Sequence, residues 1–108
     1  MSEKILLIED DLEMSSLIAD YLQNYDFDVQ AFDKPKEALA HLKNHLGEYK
    51  IIVLDLMLPQ MDGFDVCKEI RSISDAHIII SSARNELSDK ILGYGVGADD
   101  YLAKPYEP

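Results

Sequence analysis

The sequence predicts an α/β fold: a doubly wound, five-stranded parallel sheet with strand order 2-1-3-4-5. Three observations support that expectation. Short apolar runs recur at 4–8, 28–32, 50–54, 77–81 and 100–102. Segments with helical spacing separate them, and strand alternating with helix is the pattern of a parallel sheet built from crossover units. The runs at 5–8, 51–54 and 78–80 are continuously apolar instead of alternating, as strands covered on both faces are.

The elements follow in order. A strand over 4–8 opens the chain. Met14, Leu17, Ile18, Tyr21, Leu22 and Tyr25 then recur at helical spacing, which predicts a helix with one buried stripe. After the strand at 28–32, Pro35 suits a first helical turn and Gly47 a position just past a helix end. A helix over 35–46 is therefore expected, with Ala38, Leu39, Leu42 and Leu46 inward. Asp62-Gly63 reads as an N-cap and turn before a third helix, over 63–73, whose inner residues are Val66, Cys67, Ile70 and Ile73. A fourth helix, over about 86–96, turns Leu87, Ile91 and Leu92 inward. Gly93, Gly95 and Gly97 weaken it, because glycine costs about 1 kcal/mol in a helix interior. The last strand leads into Lys104-Pro105-Tyr106-Glu107-Pro108. A doubly wound sheet needs helices on both faces, so residues 1–108 are expected to form one domain without its final helix. Part of one face is then bare apolar surface.

Bulk properties narrow the function. The 108 residues are 47% hydrophobic and 29% charged, a globular composition. A net charge of −11 opposes binding to the phosphate backbones of nucleic acids. No apolar stretch approaches the length of a bilayer span, no basic membrane anchor is present, and Met1-Ser2-Glu3-Lys4 leaves no room for a signal peptide. Cys67, the single cysteine, closes no internal disulfide. A soluble cytoplasmic protein is expected.

In open α/β sheets, ligands bind beyond the carboxyl ends of the strands where strand order reverses. Here that point lies between the first and third strands. Glu9 and Asp10 leave the first, Asp55 the third, Ser82 the fourth and Lys104 the fifth. Carboxylates held together raise one another's pKa unless a cation lies between them. Magnesium prefers such oxygen ligands, and Asp10 and Asp55 supply them. A carboxylate is also a competent nucleophile toward phosphorus. Phosphoryl transfer needs mainly positioning and charge neutralisation, which the Lys104 ammonium and the Ser82 hydroxyl suit.

With these residues in place, the chain resembles the receiver domain of two-component response regulators over essentially its whole length, short of the last helix. The resemblance rests on four segments in order: Leu6-Leu7-Ile8-Glu9-Asp10-Asp11, Val53 to Gly63 with Asp55 inside it, Ile79-Ile80-Ser81-Ser82-Ala83-Arg84, and Gly97-Ala98-Asp99-Asp100-Tyr101-Leu102-Ala103-Lys104-Pro105. It implies a flavodoxin-like fold and a phosphoryl group accepted on Asp55 from a sensor histidine kinase with Mg²⁺. Asp10 and Asp55 are then direct metal ligands, the Met57 backbone carbonyl a third, and Glu9 a ligand through water. Lys104 meets the phosphoryl group. Ser82 and Tyr101 form the switch, and the Lys104–Pro105 bond is cis. The wording around Ser82-Ala83-Arg84 is most similar to the winged-helix DNA-binding subfamily. That implies a phosphorylation-dependent homodimer and a C-terminal output domain controlling transcription. Met57 and Arg84 sit where the family sets dephosphorylation, and neither suits orienting a water, so a long-lived phosphoryl group is expected. Departures are Ser82 for the commoner threonine, Tyr106 for phenylalanine, and the extra acid Asp11.

Blander readings stand beside these. Asp55 can be a strand-end cap, Lys104 a surface lysine, Tyr101 a core ring with a wet hydroxyl. Asp11 favours the first helix's N-terminus and is given no metal role. His41 and His45 have the i, i+4 spacing of zinc ligands but no third partner, and read as a solvated face. His77 reads as structural and Cys67 as a small buried hydrophobe. Asp99-Asp100 either pairs with basic residues across a dimer or caps a turn. A magnesium phosphatase would need a proton-transferring acid where Met57 stands. A pseudo-receiver would lack Asp55, an acidic ligand or Lys104, and a flavin-binding relative would carry a phosphate loop rich in small polar residues after the first strand.

Overall fold

The computed structural model describes residues 3–104. Five strands, β1 (Lys4–Ile8), β2 (Asp28–Phe32), β3 (Ile51–Leu54), β4 (His77–Ser82) and β5 (Asp100–Ala103), alternate with α1 (Leu12–Gln23), α2 (Pro35–Lys43), α3 (Gly63–Ile73) and α4 (Leu87–Gly95). All strand pairs are parallel, in the predicted order β2-β1-β3-β4-β5. Leu6 pairs with Ile52, Ile52 with Ile78, and Ile8 with Leu54.

Side chains alternate across a sheet, so each strand divides between two layers. Leu6, Ile8, Ile52, Leu54, Ile78 and Ile80 point one way, into the main core. There they meet Leu39 and Leu42 of α2 and Phe64, Val66, Cys67 and Ile70 of α3. Ile5 and Leu7 are buried on the other face, where α1 packs on β1 and β2. That layer is thinner: Ile51, Val53 and Ile79 are half-buried and Leu102 is exposed. Among the described residues no helix is long and apolar enough to cross a membrane.

The apolar stripes of two helices differ from expectation. On α1 the buried residue is Ser15, with Met14, Ile18 and Leu22 half-buried, while Leu17, Tyr21 and Tyr25 are exposed. Among the described residues the helix rests mainly on β1 and β2, so only part of its apolar arc meets a partner. On α4, Leu87, Ile91 and Leu92 face outward, and Leu87 is 72% exposed. Its inner face is Asp89 and Gly93. Gly93 explains the rotation: a Cβ there would stand 3.0 Å from Ile80 Cδ1 and 3.3 Å from the Tyr101 ring, so the helix backbone itself packs on the sheet. Helix α2 ends earlier than predicted, at Lys43 with Asn44 as C-cap, and Leu46 is exposed.

Other caps match their residues. Asp62 Oδ1 accepts the Phe64 N–H at 2.8 Å, and Asp11 Oδ1 accepts those of Glu13 and Met14 at 3.0 and 3.2 Å. Cys67 is buried, and desolvation pushes its thiol up to about 11. His41 on α2 and His45 just beyond its C-cap do not form a solvated face. His41 and His45 are half-buried with rings stacked at 4.0 Å, and His41 Nε2 lies 2.6 Å from the Tyr49 hydroxyl.

Candidate functional site

Beyond the carboxyl ends of the strands, the ladder continues by one step. Glu9 N–H donates to Phe32 O at 3.0 Å, Asp55 N–H to Ile8 O at 2.9 Å, and Lys104 N–H to Ser82 O at 2.9 Å. Two acids and one lysine thereby sit on backbone tied into the strand ladder.

Their side chains converge. Glu9 and Asp55 are buried, at 2% and 4% exposure, while Asp10 is exposed. One carboxylate oxygen from each of the three lies within 4.8 Å of the others. The Lys104 ammonium pairs with Glu9 Oε1 and stands 3.7 Å from Asp55 Oδ2. Glu9 Oε2 accepts the Asp11 N–H at 3.3 Å, and Asp55 Oδ1 the Met57 N–H at 3.2 Å. Burial raises the Glu9 pKa; the Lys104 hydrogen bond opposes this, and the Asp55 carboxylate reinforces it. Burial is the largest of these effects, so the net shift is upward.

An all-oxygen set of three acids, one of them open to solvent, fits a hard divalent cation better than a transition metal. An open cleft beside Asp10 is walled by the loop 56–62. Within that loop Gln60 adopts φ +72°. Gly63 closes the far end, its Cα so near the Leu56 backbone that a Cβ would lie 2.4 Å from Leu56 Cα.

The sequence from residue 5 to 108 matches the model of one family, the response regulator receiver domain. The chain belongs to that family.

The receiver is 39% identical over 108 residues to the regulatory protein VanRc of Enterococcus gallinarum, covering all of this chain and 46% of that protein. It is 43% identical over 104 residues to the transcriptional regulatory protein CiaR of Streptococcus pneumoniae, covering 95% of this chain and 45% of the relative. The receiver thus spans about half the length of these curated relatives. Its fold superimposes on the BeF3-activated N-terminal receiver domain of Klebsiella pneumoniae RstA with TM-score 0.90 and 31% identity, over 98% of this chain and 89% of that one. A receiver domain is a signalling module and not a turnover enzyme.

The remaining candidates lie around this centre. Ser82 is fully buried, and its Oγ turns to the following loop to accept the Arg84 N–H at 3.2 Å. Tyr101 is half-buried against the core, and its hydroxyl donates to Arg84 O. Burial raises its pKa. Met57 exposes its side chain. Pro105, and with it the expected cis bond, lies outside the described residues, as does Tyr106.

Asp99 and Asp100 have partners within the chain. Asp99 Oδ2 accepts from Arg71 Nη2 at 2.7 Å and from the Ile78 N–H at 2.9 Å, and that backbone bond is the leading cause of its lowered pKa. Asp100 Oδ2 lies 2.5 Å from His77 Nε2. One buried acid was missed from the sequence: Asp89, held by Arg84. A faint signal existed, since Glu86-x-x-Asp89 has the spacing of a capping pair.

Proposed function

We propose that Asp55 is the phosphoacceptor of this receiver, phosphorylated by a sensor histidine kinase, and that Lys104 and Ser82 stabilise the product. The observation that supports this best is a single ammonium shared between the buried Glu9 and Asp55, with the exposed Asp10 carboxylate beside them. An Asp55 oxygen attacks phosphorus, the bond from phosphorus to the donor breaks, and the leaving imidazole nitrogen or acyl oxygen keeps that electron pair. Lys104 then exchanges a carboxylate partner for a phosphoryl oxygen, and Ser82 Oγ turns from the Arg84 N–H to donate to another. Glu9 (through water), Asp10, Asp55 and the Met57 carbonyl would hold Mg²⁺. When bound, Mg²⁺ supplies charge neutralisation for the approaching phosphoryl oxygens. The same residues assist loss of the group to water.

The switch is read on α4 and β5, and on α4 Leu87, Ile91, Leu92 and Tyr94 are exposed. An apolar patch of this kind suits a second copy of the phosphorylated chain. Relatives named as transcriptional regulators, with more than twice this length, support a DNA-binding output domain in a cytoplasmic protein. The receiver's own net charge of −11 supports no direct contact with nucleic acid.

Intact-mass measurement after incubation with acetyl phosphate and Mg²⁺ tests this. One phosphate adduct is expected, lost in Asp55→Ala and lost with chelator. A well-folded protein that takes up no phosphate refutes the proposal, and steady release of inorganic phosphate at high turnover would make it a phosphatase.

A further inference from the structure

The loop between β4 and α4 contains a contact that the chemistry above does not use. Arg84 lies two residues beyond Ser82. Its guanidinium carbon sits 5.0 Å from the centroid of the Phe64 ring on α3, and its Nη2 donates to Asp89 Oδ1 at 2.8 Å. Asp89, on α4, is 8% exposed, and its other oxygen accepts the Glu86 N–H at 3.2 Å. One side chain therefore bridges two helices across the loop. The backbone of the same residue is where the two switch side chains meet: its N–H donates to Ser82 Oγ and its carbonyl accepts the Tyr101 hydroxyl.

We infer that Arg84 is a positioning residue of the switch. Clasped between Phe64 and Asp89, it holds the loop with its carbonyl toward Tyr101, and so sets the balance between inward and outward Tyr101 in the resting receiver. The inference rests on the switch proposed above. A loop carbonyl is a dependable acceptor only where the loop is held, because loops otherwise open at little free-energy cost. The clasp is suited to holding. A planar guanidinium packs on an aromatic face while its edge binds a carboxylate. Removing Arg84 leaves the Asp89 carboxylate, whose side chain is only 11% exposed, without its cation, whereas the Arg84 side chain is 42% exposed and stays solvated without Asp89.

A quantitative consequence follows from linkage. If inward Tyr101 belongs to the phosphorylated form, whatever favours it also favours a phosphoryl mimic, by the same factor. Loosening the clasp must therefore weaken binding of beryllofluoride with Mg²⁺ in proportion to the loss of inward Tyr101. Asp89 and Phe64 test this better than Arg84, whose own backbone carries the hydrogen bonds to Ser82 and Tyr101.

The experiment uses the 108-residue chain carrying fluorotyrosine, with the Tyr101 resonance assigned by Tyr101→Phe. Asp89→Asn keeps an oxygen for the Glu86 N–H and removes the charge. Phe64→Leu removes the ring and keeps apolar bulk. In each, the Tyr101 resonance should move toward its solvent-exposed position, and beryllofluoride should bind several-fold more weakly. Arg84→Ala combined with Asp89→Asn should move the resonance no further than Arg84→Ala alone. If both single variants melt at lower temperature yet leave the resonance and the beryllofluoride titration unmoved, the clasp is purely structural and the inference fails. A wild-type chain that does not bind beryllofluoride at all would instead overturn the proposed function beneath it.

Discussion

Gly63→Ala should damage both stability and chemistry, while Gly95→Ala, the same change on a neighbouring helix, should stabilise. At Gly63 the new Cβ would lie 2.4 Å from Leu56 Cα, 2.6 Å from Leu56 O and 2.9 Å from Leu56 C. These are backbone atoms, so no rotamer change relieves the contact; α3 or the end of β3 must shift. Overpacking of a well-filled site costs about 1–3 kcal/mol, and a backbone obstacle places this one near the upper end. Alanine returns about 0.4–1 kcal/mol through reduced unfolded-state entropy. The net loss is about 2 kcal/mol, which lowers Tm by roughly 10 °C in a domain of this size. Leu56 follows Asp55 directly, so the shift also displaces the carboxylate proposed to accept the phosphoryl group, and adduct formation from acetyl phosphate should slow. At Gly95 a Cβ meets nothing within 4 Å. There alanine should add about 0.5–1 kcal/mol by helix propensity alone. Thermal melts of both variants decide it. A Gly63→Ala chain melting within about 2 °C of wild type, or a Gly95→Ala chain melting below it, would show that the room around the added Cβ does not decide these outcomes.

Three further outcomes are expected. Asp11→Ala should cost about 1 kcal/mol by removing the α1 cap, with Mg²⁺-dependent adduct formation intact; loss of the Mg²⁺ requirement would give Asp11 a metal role. Burial first, and the neighbouring His45 second, hold the His41 pKa below 6.5 against the opposing pull of Glu48. The folded chain thus binds this proton later than the unfolded chain as pH falls. His41's contribution is whole above pH 6.5 and is lost as pH drops from there through the lowered value. The Tm difference between wild type and His41→Gln should be flat above 6.5 and decline below it; a constant difference refutes this. Finally, the Met57 and Arg84 side chains are poorly suited to orienting a water, so a radiolabelled phosphoryl group should persist on the purified receiver, and its disappearance within seconds would contradict that reading.

Much of this protein was legible along the chain, because strands buried on both faces must be continuously apolar. Ile5 to Ile8, Ile51 to Leu54 and Ile78 to Ile80 therefore announced themselves, and with them the residues that leave their carboxyl ends. Glu9, Asp10, Asp55, Ser82 and Lys104 could be placed at one sheet edge because position along a strand is a local property. Helix faces are not local. The periodicity of α1 and α4 located the helices correctly but drew the buried side of α1 too wide, since Leu17 and Tyr21 are exposed beside half-buried Met14, Ile18 and Leu22, and misassigned that of α4, where Leu87 and Ile91 are exposed. Which arc of a helix is buried depends on what lies opposite it, and for α4 that was decided by Gly93 against Ile80 and Tyr101. Only the tertiary structure could show that Lys104 divides itself between Glu9 and Asp55, or that Arg84 reaches across to Phe64 and Asp89. Long flexible cations choose partners by distance and desolvation in the folded chain, and neither quantity exists until the strands and helices have met.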